Sequence, residues 1–344
     1  MKNKVLVTGG SGFIGSHFIE LLISKKFKVI NLDIVKNKFF EKNISHSNYT
    51  FIKCNICSEN KIQKIFKNYK LDYIVNFAAE SHVDKSIDGP KKFFDTNVLG
   101  TLNLLENTRK FNAEIRFLQI STDEVFGSLG KNDRSFTINN KFKPNSPYSA
   151  SKASADHLVR SYWKTYGINA SSIHSSNNFG ERQNPEKLIP MVLTALNNKK
   201  LIPIYGNGKN IRDWIYVKDN CRAVFEVMKY GAKGKNYLIG GNNEISNINL
   251  IKKIIFHYGK SLKKTISFKD SVLFVDDRFG HDYRYSVNTK NIVQEFKFKF
   301  KKTFDHWLQL TIKHYINNNN YYKKLSIKNK WFHEKYKKYR KKVD

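Results

Sequence analysis

Lys4-Val5-Leu6-Val7-Thr8-Gly9-Gly10-Ser11-Gly12-Phe13-Ile14-Gly15 is the stretch whose reading decides the fold. Val5 to Thr8 form a short apolar and β-branched run, which reads as a buried strand. Glycines follow at 9, 12 and 15, and Phe18, Ile19, Leu22 and Ile23 then recur at helical spacing. Strand, glycine turn and helix in this order make a dinucleotide-binding fingerprint. Gly9 permits the tight turn, Gly12 lets a pyrophosphate approach the backbone, and Gly15 lets the helix pack close to the strand. Amides at the helix N-terminus then face the phosphates.

Working outward, Lys28-Val29-Ile30-Asn31-Leu32-Asp33 is a second strand that ends in a carboxylate. An acid there accepts hydrogen bonds from ribose hydroxyls and repels a 2′-phosphate, which favours NAD over NADP. A solvated strand-end acid is the plainer alternative. Residues 50–53 and 73–77 supply further strands, and the small Ala78 and Ala79 suit close backbone approach to a cofactor. Residues 96–110 carry Val98, Leu102 and Leu105 on one helical stripe, and 115–121 form another strand. This alternation predicts an α/β fold, a Rossmann-type doubly wound parallel sheet, without internal repeats.

The chain has 344 residues, and 61 Lys and Arg against 29 Asp and Glu leave a net charge of +32. With 40% hydrophobic and 14% aromatic residues, a disordered chain is excluded. No apolar run reaches about 18 residues, so no membrane span is expected. Three cysteines make no disulfide framework and point to a reducing, cytoplasmic location. The N-terminus turns into glycines too soon for a signal peptide. The positive charge fits a nucleic-acid binder. It also fits drift, because lysine far outnumbers arginine while Asn and Ile are abundant, and these share A/T-rich codons. The second explanation is preferred, so nucleic acid is not the expected partner.

The middle of the chain carries reactive side chains. Tyr148 and Lys152 stand four apart ahead of a run closed by Gly167, so a helix puts both on one face. A lysine ammonium beside a phenol stabilises the phenolate and makes it a usable base. Y-x-x-x-K also occurs by chance on surfaces. Just upstream, the strand over 115–120 runs into Ser121-Thr122-Asp123-Glu124. Strand C-termini of a parallel sheet form the ligand crevice. In an extended stretch the neighbouring carboxylates diverge, so one can act as acid and the other as base. Taken alone, this could be a charged turn.

Together these motifs resemble the extended short-chain dehydrogenase/reductase superfamily, and within it the dTDP-glucose 4,6-dehydratase family. The ordered matching blocks are 78–87, 121–127, 144–154, 176–180, 185–190, 210–214, 239–241 and 277–282. The resemblance implies NAD as cofactor, held by Gly9, Gly12, Phe13, Ile14, Gly15, Asp33, Asn55, Ile56, Phe77, Ala78, Ala79, Ser81, Thr96, Tyr148, Lys152 and Asn178. It implies that Tyr148, helped by Thr122 and Lys152, removes the 4-hydroxyl proton of the sugar, that Glu124 takes the C5 proton, and that Asp123 protonates the departing C6 hydroxyl. Ser81, Thr122, Asp123, Glu124, Asn177, Lys187, Leu188, Pro203, Tyr205, Arg212, Asn247, Arg278 and His281 then line the nucleotide-sugar site. Lys187, Arg212 and Arg278 can neutralise a diphosphate. The Asp-Glu pair separates dehydratases from related epimerases and decarboxylases. The base, dTDP against UDP or CDP, is left open, and a homodimer is implied. A non-catalytic NAD-fold protein binding nucleic acid is the remaining alternative.

The implied division is an NAD-binding domain over 1–180, with 217–242 and a late helix near 303–320. A substrate domain spans 181–216 and 243–302, and a basic aromatic tail spans 321–344. That tail is expected to be a helix packing its aromatics on the body. The family pattern has other residues at Asn55, Phe126, His174, Ser175, Phe179, Glu181 and Phe279, and the loop after Asp33 is short. Cys54 and Cys57 form a C-x-x-C, but only Cys221 remains elsewhere, so a four-cysteine zinc site is impossible and no metal is expected.

Overall fold

The computed structural model describes residues 3–37 and 47–328. The chain alternates strands and helices: β1 (Lys4–Thr8), α1 (Phe13–Ser24), β2 (Lys28–Asp33), β3 (Tyr49–Lys53), α2 (Glu59–Asn68) and β4 (Tyr73–Asn76). Then come α3 (Val83–Asp88), α4 (Lys91–Phe94), a π-turn (Asp95–Leu99), α5 (Gly100–Phe111), β5 (Arg116–Thr122) and a one-turn 3-10 helix (Asp123–Phe126). They are followed by α6 (Pro147–Tyr166), β6 (Ala170–Ser175), β7 (Asn177–Phe179), α7 (Leu188–Asn197), β8 (Ile202–Tyr205) and β9 (Ile211–Tyr216). The last are α8 (Val217–Tyr230), β10 (Asn236–Ile239), β11 (Glu244–Ser246), α9 (Asn247–Ser261), β12 (Val272–Val275), α10 (Lys290–Phe296), α11 (Phe304–Asn317) and α12 (Asn319–Lys328).

Seven strands form one sheet in the order β10-β6-β5-β4-β1-β2-β3, and every pair is parallel. This is the doubly wound order with one added strand, and the switch point lies between β1 and β4. Successive side chains of a strand leave opposite faces. Val5 and Val7 therefore join Phe18, Ile19 and Leu22 of α1 and Val224 of α8, while Leu6 joins Ile62 of α2, Leu104 of α5 and Val159 of α6. The result is a sheet with helices on both faces, as the alternation predicted.

Gly9 shows why the first turn needs its glycines. Its φ is +66°, and a Cβ there would stand 2.6 Å from the amide nitrogen of Ala78. A left-handed backbone costs an L-residue about 1–2 kcal/mol, and the collision with backbone adds to that. Gly9→Ala is expected to lower the unfolding temperature by several degrees, read by calorimetry; an unchanged temperature refutes this account.

The later elements build a second layer over the strand C-termini. β7, β9 and β11 form a three-stranded sheet, and β8 pairs with β12. α7, α9 and α11 pack on one another, while α8 packs on α1 and β10 returns to the main sheet beside β6. The late helix departs from the sequence reading. α11 lies on α7, α9 and β9 rather than on the seven-stranded sheet, because its apolar stripe of Phe304, Leu308, Ile312 and Tyr315 matches that layer.

The tail begins as expected. α12 starts after the break at Asn318, and Tyr322 is buried, with its ring centroid 4.1 Å from that of Tyr315. The Tyr322 hydroxyl lies 2.8 Å from His314 Nε2 and accepts from the Arg182 amide at 3.1 Å. Tyr322→Ala is expected to cost about 3–5 kcal/mol, measured by denaturant unfolding; a loss below about 1 kcal/mol overturns this packing account. Trp331, Phe332, Tyr336 and Tyr339 lie outside the described residues, as does most of the loop after Asp33.

Candidate active site

The site forms where β1, β4 and β5 end. Ser146 caps α6 in a capping box with Ser149, and Pro147 opens the helix. This start puts Tyr148 in the first turn, and Tyr148 and Lys152 both lie on the buried side of α6. Thr122 ends β5 and caps the short 3-10 turn, its hydroxyl accepting from the Glu124 amide at 3.3 Å. Asp123 and Glu124 are therefore not in an extended stretch, as the sequence suggested, but in the first turn of a helix. The tight turn still sends them apart. Asp123 is buried near Asp213, with its Oδ2 lacking a hydrogen-bond partner, while Glu124 reaches an open cavity.

The surroundings of the two carboxyls differ. Burial, then the charges of Glu124 and Asp213, push Asp123 well above the usual carboxylate range. Burial also raises Glu124, but Arg278, Arg212 and Lys187 pull the other way. Both carboxyls are raised, and the cations beside Glu124 suit it to the base's part while Asp123 is suited to the acid's.

Tyr148 departs from expectation. Burial, and then the negative charges of Glu124 and Asp123, push its phenol up rather than down. Lys152 does not reverse this, because its own burial lowers it to about 8 and its Nζ donates to the Ile120 carbonyl at 2.6 Å.

The cofactor-side residues line the switch point. Gly12 caps α1 with extended backbone and no side-chain cap, so its first-turn amides are left for an anion. A Cβ on Gly12 would meet only the Gly9 carbonyl at 3.1 Å, whereas one on Gly15 would lie 2.4 Å from that oxygen. Gly12 thus leaves open space and Gly15 sits at a close packing contact. Asp33 accepts from the Ser11 amide at 3.0 Å and the Val35 amide at 3.1 Å, so it braces the glycine turn. The buried side-chain oxygen of Asn178 has no partner. An open cradle, free helix amides and an unpartnered amide oxygen fit a dinucleotide. Phe77, Ala78 and Ala79 follow β4, and Thr96 lies in the π-turn. The side-chain oxygen of Asn55 accepts from the Cys57 amide at 2.9 Å, next to the buried Ile56. Cys54 and Cys57 are free thiols that face the carbonyls of Asn55 and Asp95.

A cavity of about 200 Å³ opens between the strand ends and the second layer. Glu124, Asn177, Lys187, Leu188, Pro203, Tyr205, Arg212, Asn247, Arg278 and His281 all line it. These residues come from seven separate stretches of the chain. Ser81, Thr122 and Asp123 stand outside its lining, although the Ser81 carbonyl accepts from Lys187 Nζ at 2.6 Å. Arg212 differs from the diphosphate clamp expected of it. Its guanidinium donates to the carbonyls of Ile211 at 2.8 Å and Asp282 at 2.9 Å and lies over the Tyr285 ring. It contributes charge to the cavity more than free donors.

The family-model comparison matches residues 6–311 to the GDP-mannose 4,6 dehydratase family. A dTDP-glucose 4,6-dehydratase from Salmonella typhimurium is 40% identical over 336 residues, covering 92% of this chain and 93% of that protein. A crystal structure of dTDP-glucose 4,6-dehydratase from Bacillus anthracis in complex with NAD superposes with a TM-score of 0.85 at 41% identity, covering 94% of this chain and 99% of that one. The NAD-bound enzyme of that name from Streptomyces venezuelae gives a TM-score of 0.87 at 36% identity, with 94% and 99% covered. The chain belongs to the dTDP-glucose 4,6-dehydratase family.

Against that family, the departures fall mostly away from the reacting groups. Phe126 is buried against Phe136, Phe142 and His174, and Phe179 against Trp214, Tyr216 and Phe304. Phe279 is exposed, and Glu181 accepts from the Tyr216 hydroxyl at 2.9 Å.

Sequence reasoning missed Asp84. It is buried on α3, accepts from the Tyr205 hydroxyl at 2.8 Å and pairs with Arg278 at 3.1 Å. Its signal was an acid inside the matched block 78–87, of which only Ala78, Ala79 and Ser81 were assigned a place. Tyr285 of the cavity carried no signal beyond being aromatic, and Trp214 none beyond its place in the matched block 210–214.

Proposed function

We propose that this chain is an NAD-dependent hydro-lyase that converts dTDP-glucose to dTDP-4-keto-6-deoxyglucose. The feature that carries the reading is a pair of adjacent carboxyls in different surroundings: burial and the charges of Glu124 and Asp213 push Asp123 well above the usual carboxylate range, while Glu124, also raised by burial, faces three cations in the substrate cavity. Elimination of water across C5 and C6 needs one acid and one base in distinct places.

NAD, when bound, supplies the acceptor for hydrogen at C4 and its donor at C6. Gly9, Gly12, Gly15 and Asp33 would hold it, with Asn178 turned toward it. Tyr148 takes the proton of the 4-hydroxyl, with Thr122 beside it and Lys152 behind it on α6. Glu124 takes the C5 proton, made acidic by the 4-keto group. Asp123 delivers its proton to the C6 hydroxyl as it leaves. Lys187 and Arg278 balance the diphosphate, and the charge of Arg212 supports them. Phe94, Leu99 and Tyr166 expose apolar surface on neighbouring helices of the NAD-binding side, which supports a homodimer formed there. Light scattering at micromolar concentration tests it, and a monomer rejects it. Among the described residues no helix is long and apolar enough to cross a membrane, and the three cysteines are free, which supports a cytoplasmic enzyme.

The test is direct. Purified protein with NAD is given dTDP-glucose, UDP-glucose or CDP-glucose, and the alkali-induced ultraviolet absorbance of the 4-keto product is followed. Product is expected from dTDP-glucose first. Absence of product from all three sinks the reading.

A further inference from the structure

We infer that Asp156 is the positioning residue of Lys152, a buried carboxylate clamped by Ser121 and His174 that keeps the lysine ammonium charged behind Tyr148.

Tyr148, Lys152 and Asp156 follow at four-residue steps along α6, and all three are buried. They fall on one buried face of the helix, at the spacing of neighbours along it. Strand β5 grips the same stripe twice. The Ile120 carbonyl accepts from Lys152 Nζ at 2.6 Å, and the Ser121 hydroxyl donates to Asp156 Oδ2 at 2.5 Å. His174 stands directly across from Ser121 in the β5–β6 register, and its Nε2 lies 3.2 Å from that same oxygen. The other carboxylate oxygen, Oδ1, has no hydrogen-bond partner among the described residues.

A buried ammonium with a single carbonyl partner is costly unless a counter-charge lies near. Asp156 supplies that counter-charge. Burial lowers Lys152, and Asp156 is the group that opposes the fall. Asp156 itself stays below the usual carboxylate range despite burial, through His174, Lys152 and Ser121.

Other charged groups around α6 are engaged elsewhere. Asp123 and Glu124, from the turn after β5, act on Tyr148. Asp95 of the π-turn pairs outward with Lys91, and Glu106 of α5 is held by Arg109 and Tyr162. On α3, Asp84 pairs with Arg278 and Lys85 with Glu186.

The inference takes from the proposed function only the importance of Tyr148, so its first readout is independent of turnover. The full-length protein, with and without saturating NAD, is labelled at the lysine ε-carbon and titrated by NMR, with Lys152→Met assigning the signal. Asp156→Asn is expected to move the Lys152 midpoint down by about one pH unit or more, a roughly tenfold rise in the deprotonated fraction at fixed pH. Asp156→Glu should restore it. The alkaline limb of kcat, where Lys152 loses its proton as pH rises, should move down with it while KM holds. His174→Gln should shift the midpoint in the same direction by less, and it serves if the Asn variant does not fold. A midpoint unchanged in a folded Asn variant, or in His174→Gln if the Asn variant does not fold, overturns the inference, even if that variant unfolds at a lower temperature. A parent protein that titrates as expected but makes no 4-keto product sinks the function alone.

Discussion

Glu124→Gln is expected to lower product formation by about 10²–10⁴-fold, the range for loss of a positioned general base. Its amide keeps the size and polarity of the side chain but cannot take a proton at C5. The decisive reading is solvent deuterium. With the parent enzyme in D₂O, deuterium should enter C5 of the sugar, and in Glu124→Gln it should not. Asp123→Asn should show the converse: C5 exchange continues while loss of the C6 hydroxyl stalls, because only the acid is missing. Exchange at the parent rate in Glu124→Gln removes the assigned base. The pH dependence has a fixed sign. Glu124 must be ionised to act, and its carboxyl is raised above the ordinary value by burial. The rate should therefore fall as pH falls through that raised value, earlier than an exposed glutamate would allow.

Tyr148→Phe is expected to cost a comparable 10²–10⁴-fold, about the worth of one acid–base group, but to silence every later step as well. Without loss of the 4-hydroxyl proton there is no 4-keto group, so C5 is never acidified and its exchange should vanish too. This separates Tyr148 from Asp123, whose variant keeps the exchange. The change removes a single oxygen from a buried ring packed edge-on against Phe93, so the unfolding temperature should hardly move. Retained C5 exchange in a folded Tyr148→Phe protein contradicts its place at the start of the reaction.

The two variants touch different kinds of information. Tyr148 and Lys152 were legible because four residues on a helix is a fixed geometry, and the Ser146-Pro147 start and Gly167 stop define that helix locally. The direction of the phenol's shift was not legible. It depends on burial first, and then on Glu124 and Asp123, whose charges the end of β5 brings near it. Arg212 makes the same point. Its basic side chain suggested a phosphate, yet the carbonyls of Ile211, Tyr283 and Asp282 already accept from both of its terminal nitrogens. Asp84 shows the reverse, a residue passed over in the sequence that lies between Tyr205 and Arg278 once three remote segments meet.

By itself the sequence determined the parallel sheet, the glycine turn and the helix face shared by Tyr148 and Lys152. Those follow from short-range rules: apolar periodicity, backbone that only glycine adopts, and caps that act within a few residues. Tertiary structure decided the direction in which each reacting group's pKa is pushed and which donors are already engaged. Those quantities depend on burial and on charges brought in by distant segments. Asp123 and Glu124, adjacent in the chain and both raised by burial, differ because Asp123 lies beside the like charges of Glu124 and Asp213 while Glu124 faces Arg278, Arg212 and Lys187.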